Sequence, residues 1–285
     1  MIFGKDKYRV VENIKKSAEA GELNNKVEVD DPELTPAQRA KIVKKFMTDR
    51  KTFGYWVCNM GARFIAWSGG LVVNKDSKFV GMEKLKGVKG GAVITSNHFS
   101  PVDNTIVRQV VHKAWGQRLF IVSQETNLAM TGFVGFMMKF SDIIPIVNNG
   151  KYMSECFGPE INDRLKLGQK ILIYPEQEMW LNYRKPRPPK RGAYFYAASN
   201  NVPIVSLFVE IRDADGLDTE EFRNTQYIMH VLDPIYPDPE KSVRENSIEM
   251  MNKDYEQKKQ AYEEAYDKEL TYEFDYSDVA GWIVK

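Results

Sequence analysis

One short stretch of the sequence, ITSNHFSPVD, places a histidine and an aspartate five residues apart, directly after an apolar run. The run GAVITSN is rich in apolar β-branched residues and has no solvated face, which predicts a buried strand. Ser100 and Pro101 have the residue types of an N-cap and a first helical position, so we expect Asp103 in the first turn of a helix. His98 would then lie just past the carboxyl end of a strand, where open α/β sheets place their sites.

The residue types of this stretch allow two interpretations. In the first, Asp103 accepts a hydrogen bond from one imidazole nitrogen of His98 and leaves the other free as a general base. Such a base takes a proton from a hydroxyl, as acyl transfer requires. In the second, Asp103 caps the helix together with Ser100, at capping-box spacing, and His98 has no chemical role. The pair also occurs by chance, so these residues alone leave both interpretations open.

Two helices are predicted upstream of this stretch. Thr35 and Pro36 have the types of an N-cap and a first helical residue, and apolar residues recur at helical spacing up to Met47, with lysines on the other face. A second helix is predicted from Trp56 to Trp67, ending at the Gly69-Gly70 pair. We interpret the two as a basic, aromatic-bearing helical hairpin, which either packs on the protein as a lid or lies on a membrane surface.

From Leu71 onwards, short apolar runs alternate with helical patterns, beginning with LVVN, which is expected to be a strand. The predicted fold class is α/β, with a central mixed sheet flanked by helices and the helical hairpin at the N-terminus. We divide the chain into an N-terminal extension at residues 1–70, an α/β domain at 71–240, and a charged helix and tail at 241–285. The segment NLAMTGFVGFMMKF is predicted to be one apolar helix, either core or the wall of an apolar groove.

The composition is that of an ordinary globular protein, with 43% hydrophobic and 28% charged residues in 285. Cys58 and Cys156 give neither a disulfide framework nor metal-ligand spacing, so a reducing, intracellular setting is expected. The start of the sequence lacks the long apolar segment of a signal peptide. The most apolar window, Phe53 to Val73, contains Arg63, which favours lying on a membrane over spanning it. No aromatic-and-basic motif indicates nucleic-acid binding.

Three blocks of sequence together carry a family resemblance. SNHFSPVD is followed by ILIYPEQEMW and then by RGAYFYAASNNVPIVSL. In this order and spacing they resemble the glycerolipid acyltransferases of the 1-acylglycerol-3-phosphate acyltransferase type, which make phosphatidic acid. The resemblance extends roughly from Gly81 to Val209, and three ordered blocks are more specific than any one of them.

The resemblance implies a role for three residues. His98 would be the general base that deprotonates the acceptor hydroxyl, Asp103 would orient His98, and Glu176 would contact the glycerol part of the acceptor. The acyl donor would be acyl-ACP or acyl-CoA, with no metal and no bound cofactor. The expected partners are a lysophospholipid, an acyl thioester, an acyl carrier protein and a membrane surface, with the protein on the cytoplasmic face of that membrane.

The sequence also departs from the family pattern. The third block has Gln177, Glu178, Met179 and Trp180 where the family commonly has Gly-Thr-Arg-Ser, and DIIPIVNNGKY lacks the usual arginine. Downstream lies a basic run, NYRKPRPPKRG, which either binds the acceptor phosphate or is a solvated loop; its cations are Arg184, Lys185, Arg187, Lys190 and Arg191. The acceptor could equally be another lysolipid or a glycolipid, and the protein could be a catalytically idle lipid binder.

Overall fold

The computed structural model describes residues 5–29 and 32–283. Residues 1–4, which begin the stretch compared above with a signal peptide, lie outside these ranges. Within them, seven strands form one sheet: β1 (Lys78–Val80), β2 (Ala92–Thr95), β3 (Leu119–Gln124), β4 (Ile143–Ile146), β5 (Lys170–Leu172), β6 (Ile204–Leu217) and β7 (Arg223–Val231). Their order across the sheet is β1-β7-β6-β2-β5-β3-β4, and all neighbours are parallel except β6 and β7. The sheet is therefore mixed, as the sequence predicts.

Helices cover both faces of this sheet. The helices are α1 (Lys5–Glu19), α2 (Pro36–Asp49), α3 (Phe53–Val73), α4 (Asn104–Trp115), α5 (Gly132–Phe140), α6 (Gly150–Tyr152), α7 (Gly158–Lys166), α8 (Gly192–Ser199) and α9 (Val243–Tyr266). A π-helical turn, Met153–Phe157, joins α6 to α7, and 3-10 turns lie at Met82–Gly87, Glu125–Ala129 and Tyr276–Asp278. The predicted fold class, a mixed sheet flanked by helices, is confirmed.

Strand β2 lies in the centre of the sheet and is buried along its whole length, as its β-branched sequence predicts. Successive side chains of a strand point to opposite faces, so Ile94 joins the core beneath α4 while Val93 joins the core beneath α7 and α8. The helices thus bury both faces and hold the end of β2, where His98 follows, in one position.

The N-terminal helices pack onto this α/β body. The predicted start of α2 is confirmed: Thr35 is its N-cap, accepting from the backbone N–H of Gln38, and Pro36 is its first residue. Helix α3 is longer than predicted, because it continues through Gly69 and Gly70 to Val73. The prediction of a strand at LVVN is therefore wrong, because Leu71, Val72 and Val73 form the last turn of α3.

Packing against α4 explains why α3 continues past its glycines. Gly70 lies so close to Thr105 that an added Cβ would sit 3.4 Å from the Thr105 Cβ. The side chain of Asn74 then donates to the Gly70 carbonyl at 2.9 Å and to Thr105 Oγ1 at 2.9 Å.

Within residues 5–29 and 32–283, no helix combines the length and apolar character needed to cross a membrane.

The segment predicted as one apolar helix, NLAMTGFVGFMMKF, is divided into two. A 3-10 turn ends at Ala129, and α5 begins at Gly132, whose φ of +63° lies in the left-handed region that favours glycine. Gly135 then lets α5 approach this turn, since an added Cβ would lie 1.9 Å from the Met130 carbonyl oxygen. The break at Gly132 sets the direction of α5, one wall of the cavity described below.

Candidate active site

His98 and Asp103 are in direct contact just beyond the carboxyl end of β2. The His98 Nδ1 atom lies 2.7 Å from Asp103 Oδ2. A carboxylate only accepts, so in the neutral ring Nδ1 carries the proton and Nε2 presents its lone pair. Within the described ranges no hydrogen bond to His98 Nε2 is formed, and the ring lines a cavity. This arrangement is that of a base held by a carboxylate.

Asp103 occupies the N-cap position of α4, but its side chain does not cap the helix. Helix α4 begins at Asn104, three residues later than the sequence suggests, and the Asp103 side chain makes no cap hydrogen bond. Its Oδ2 atom instead accepts from the backbone N–H groups of Phe99 at 2.9 Å and Ser100 at 3.2 Å. These bonds fold the chain back on itself, so the carboxylate faces His98 and the helix start is delayed.

The position of His98 is fixed from two further sides. The ring of Tyr174, which follows β5, stacks on the imidazole with 3.9 Å between ring centroids and 11° between planes. The Tyr174 hydroxyl donates to Asp103 Oδ1 at 2.6 Å. The backbone N–H of His98 donates to Glu176 Oε2 at 3.3 Å. Burial lowers the pKa of His98, but the charge and hydrogen bond of Asp103 outweigh it, so the pKa of His98 is raised above its usual value.

Glu176 is buried and paired. Its Oε1 atom accepts from the Arg187 backbone N–H at 2.9 Å, and its Oε2 atom accepts from Arg187 Nε at 3.1 Å. Arg187 is itself 2% exposed and donates to the Leu23 carbonyl at 3.0 Å. Glu176 therefore joins the His98 backbone to the basic run, and it does not line the cavity. Its predicted contact with the acceptor stays a prediction.

The five cations of the basic run occupy different environments. Lys185 pairs with Asp278 at 2.7 Å and is 1% exposed, and Arg184 forms an ion pair with Asp213. Arg184, Lys185 and Arg187 are therefore each paired with a carboxylate of the protein itself. The phosphate-binding role suggested for these three residues has no support in this geometry. Lys190 lines the cavity, and the neighbouring Arg191 is exposed without lining it.

A large cavity of about 1380 Å³ opens at His98. Drug-sized ligands occupy pockets of roughly 300–1,000 Å³, so this volume has room for a long acyl chain. Its apolar wall comes from α3 and α5: Ile65, Ala66, Gly69, Val73, Phe133, Val134, Met137 and Met138. The prediction that the GFVGFMMKF segment lines an apolar groove therefore agrees with the placement of α5.

Three residues that line this cavity were not among the predicted site residues. Tyr174 lies two positions before Glu176 and follows β5, which pairs with β2, so the ends of the two strands lie together. Arg39 of α2 pairs with Glu125 at 3.0 Å. Arg108 of α4 donates to the carbonyls of two neighbouring segments, at Leu119 and Ser141. The signal for Tyr174 was its place at a strand end, whereas the two arginines are positioned by tertiary packing.

A sequence model of a family described as Acyltransferase matches residues 76–210, a little under half of the chain. A search of curated proteins gave no match. Among solved structures, the chain is similar to the 1-acyl-sn-glycerophosphate (LPA) acyltransferase PlsC from Thermotoga maritima, with 14% identity, a TM-score of 0.49, and coverage of 81% of this chain and 90% of that one.

The matched segment begins just before β1 and ends within β6, so it includes the central strands of the sheet. It contains the three sequence blocks that carry the resemblance, and with them His98, Asp103 and Glu176. The match of residues 76–210 to the Acyltransferase family model therefore agrees with the resemblance carried by the sequence blocks.

Proposed function

We propose that this protein transfers a fatty acyl group from an acyl thioester to the hydroxyl of a lysolipid, with lysophosphatidate as the first candidate acceptor. The observation that carries the proposal is the His98–Asp103 pair, whose imidazole lines a large, partly apolar cavity and forms no Nε2 hydrogen bond within the described residues. A base alone would suit many reactions. The cavity beside it narrows these to reactions on a molecule with a long apolar part.

The proposed reaction needs one base and no covalent enzyme intermediate. His98 Nε2 takes the proton of the acceptor hydroxyl as that oxygen forms a bond to the thioester carbonyl carbon. The tetrahedral intermediate collapses with cleavage of the carbon–sulfur bond, and the leaving thiolate takes from the imidazolium the proton that came from the acceptor hydroxyl. Asp103 stabilises the imidazolium while it exists and keeps the proton on Nδ1. The donor, acyl-ACP or acyl-CoA, is a co-substrate, and no bound cofactor takes part.

The position of Lys190 in the cavity wall favours an acceptor that carries a phosphate. It is the only cation of the basic run that lines the cavity, and no hydrogen bond or ion pair of its ammonium is formed within the described residues. Its backbone N–H donates to the Pro175 carbonyl at 2.7 Å, which places Lys190 beside the segment that carries Glu176. A lysolipid without that phosphate is the alternative acceptor, and direct comparison of the two distinguishes them.

A membrane surface is the proposed source of the acceptor. Large apolar side chains of α3 are exposed along one face at helical spacing: Phe53, Trp56, Val57, Met60, Phe64, Trp67 and Leu71. Exposed lysines of the adjoining helix and turn, Lys41, Lys44 and Lys51, complement anionic headgroups. Ile65 and Val73, on the other side of α3, line the cavity, so one helix carries both the exposed face and part of the cavity wall. We infer that α3 lies on the membrane beside the cavity.

The first prediction concerns the base. His98→Ala is expected to reduce acyl transfer to lysophosphatidate by at least about 100-fold, the usual contribution of a general base. The assay supplies acyl-ACP or acyl-CoA and measures both phosphatidate and free fatty acid. His112→Ala is the control, since His112 is exposed on α4. Equal transfer by wild type and His98→Ala would exclude the proposal, and release of fatty acid alone would indicate a hydrolase.

The second prediction concerns the acceptor. Lys190→Gln is expected to raise the KM for lysophosphatidate about two- to fivefold, the range for an exposed charge pair, and to leave the KM for an uncharged lysolipid unchanged. Arg191→Gln removes a neighbouring exposed charge and serves as the control. If both variants changed the KM equally, or if only the uncharged lysolipid were acylated, Lys190 would not hold an acceptor phosphate.

The third prediction concerns the membrane. Phe64→Glu is expected to weaken binding to anionic vesicles at least about tenfold, because burial of an aromatic side chain is worth about 1.5–3 kcal/mol. Phe64 is 66% exposed, and Leu217 of β6 is 67% exposed, so Leu217→Glu is a matched control. The measurement is cosedimentation at low salt. Absence of binding by the wild type, or equal loss in both variants, would contradict docking through α3.

A further inference from the structure

We propose that Tyr174 is a positioning residue for the His98–Asp103 pair, holding the imidazole by its ring and the carboxylate by its hydroxyl. This inference rests on the proposed function, because it gives Tyr174 a part in tuning the base. Tyr174 would not exchange a proton with substrate. It would act on the reaction only through Asp103 and His98.

The geometry joins the three side chains in one connected arrangement. The Tyr174 ring lies flat on the imidazole, with centroids 3.9 Å apart, which restrains rotation of the His98 ring. Its hydroxyl lies 2.6 Å from Asp103 Oδ1, while His98 Nδ1 lies 2.7 Å from Oδ2. Each carboxylate oxygen therefore receives a short hydrogen bond from a different side chain. A hydrogen bond to a carboxylate stabilises its charge, so the two donors compete for the same electron density.

The fold brings these groups together independently of local sequence. His98 and Asp103 follow β2, whereas Tyr174 follows β5, which pairs with β2 in parallel. The two strand ends lie side by side, and the backbone N–H of Ile173 donates to the Ile94 carbonyl at 3.0 Å. Tyr174 is therefore fixed to the sheet beside His98, and its side chain lines the cavity together with the pair.

The competition between the two donors predicts the direction in which the pKa of His98 changes when the Tyr174 hydroxyl is removed. Without the Tyr174 hydroxyl, Asp103 would lose a donor on Oδ1 and bind the protonated imidazole more strongly. The backbone N–H groups of Phe99 and Ser100 still hold Oδ2, so the carboxylate should keep its orientation. The pKa of His98 should therefore rise when the hydroxyl is removed. Burial raises the pKa of Tyr174 well above its usual value, so the hydroxyl remains a donor throughout the relevant pH range.

Other ionisable groups also act on this arrangement, from segments packed around it. They are Glu28 before α2, Arg108 of α4, Arg187 of the basic run and Tyr227 of β7. Glu28 raises the pKa of His98, and Arg187 lowers it. Removal of the Tyr174 hydroxyl leaves all four in place. A change in the titration of His98 would then be due to the lost hydrogen bond.

The test compares Tyr174→Phe, which keeps the ring and removes the hydroxyl, with Tyr227→Phe. Tyr227 is a similarly half-buried tyrosine close to the pair, but it makes no hydrogen bond to Asp103 within the described residues. The pKa of His98 is measured by NMR titration of its ring protons without substrate. The chain has three histidines, so the spectrum of His98→Gln identifies the signal. A folded state is verified for each variant by its dispersed spectrum.

We expect the pKa of His98 to rise by about half to one unit in Tyr174→Phe and to stay within about 0.2 unit in Tyr227→Phe. In the dependence of the transfer rate on pH, the midpoint of the fall at acid pH should rise by the same amount. The rate on the plateau at alkaline pH should change less than about threefold. An unchanged or lowered pKa in Tyr174→Phe, or an equal rise in Tyr227→Phe, would overturn the proposal. Because the titration uses no substrate, failure of the transfer assay would count against the proposed function alone.

Discussion

The rest of the site depends on the hydrogen bonds that the Asp103 carboxylate accepts. It accepts hydrogen bonds from the His98 ring, from the backbone N–H groups of Phe99 and Ser100, and from the Tyr174 hydroxyl. A buried carboxylate without such donors would be costly, and here four donors from two strand ends compensate for its burial. The same hydrogen bonds fold the turn after β2 and hold the imidazole, so one carboxylate both shapes the backbone and orients the His98 ring.

A second buried carboxylate, that of Glu176, connects the site to more distant segments of the chain. Glu176 binds the backbone of His98 on one side and Arg187 on the other. Arg187 reaches the carbonyl of Leu23 beyond α1, and the nearby Lys185 pairs with Asp278 of the C-terminal tail. The segment after α1 and the segment that contains Asp278 are therefore both connected to the loop that follows β5. A buried charge without its partner costs several kcal/mol, so these pairs fix the loop in one conformation. The basic run, which resembles a solvated loop in sequence, is in large part a structural link.

The sequence was most informative where local chemistry decides the structure. The buried strand before His98, the cap at Thr35 and the alternation of strands and helices all follow from residue types at short range. The sequence was least informative where partners are distant. Tyr174 lies beside Asp103 only because β5 pairs with β2, and Lys185 is buried only because Asp278 meets it there. Packing against Thr105 likewise carries α3 past the two glycines that suggested its end. Strand order and tertiary partners, which no short motif encodes, account for these differences.

The most direct measurement of the central claim, that His98 is the base oriented by Asp103, compares two pKa values of the wild type. One is the kinetic pKa from the dependence of kcat/KM on pH, and the other is the pKa of the His98 imidazole from NMR titration in the same buffer. Only the neutral ring can accept a proton, so activity should fall as pH drops through a midpoint above about 6.5, the ordinary value for histidine, because Asp103 raises the pKa of His98. The account predicts that the two values agree within about 0.3 unit. Activity that stays constant while His98 becomes protonated would contradict it.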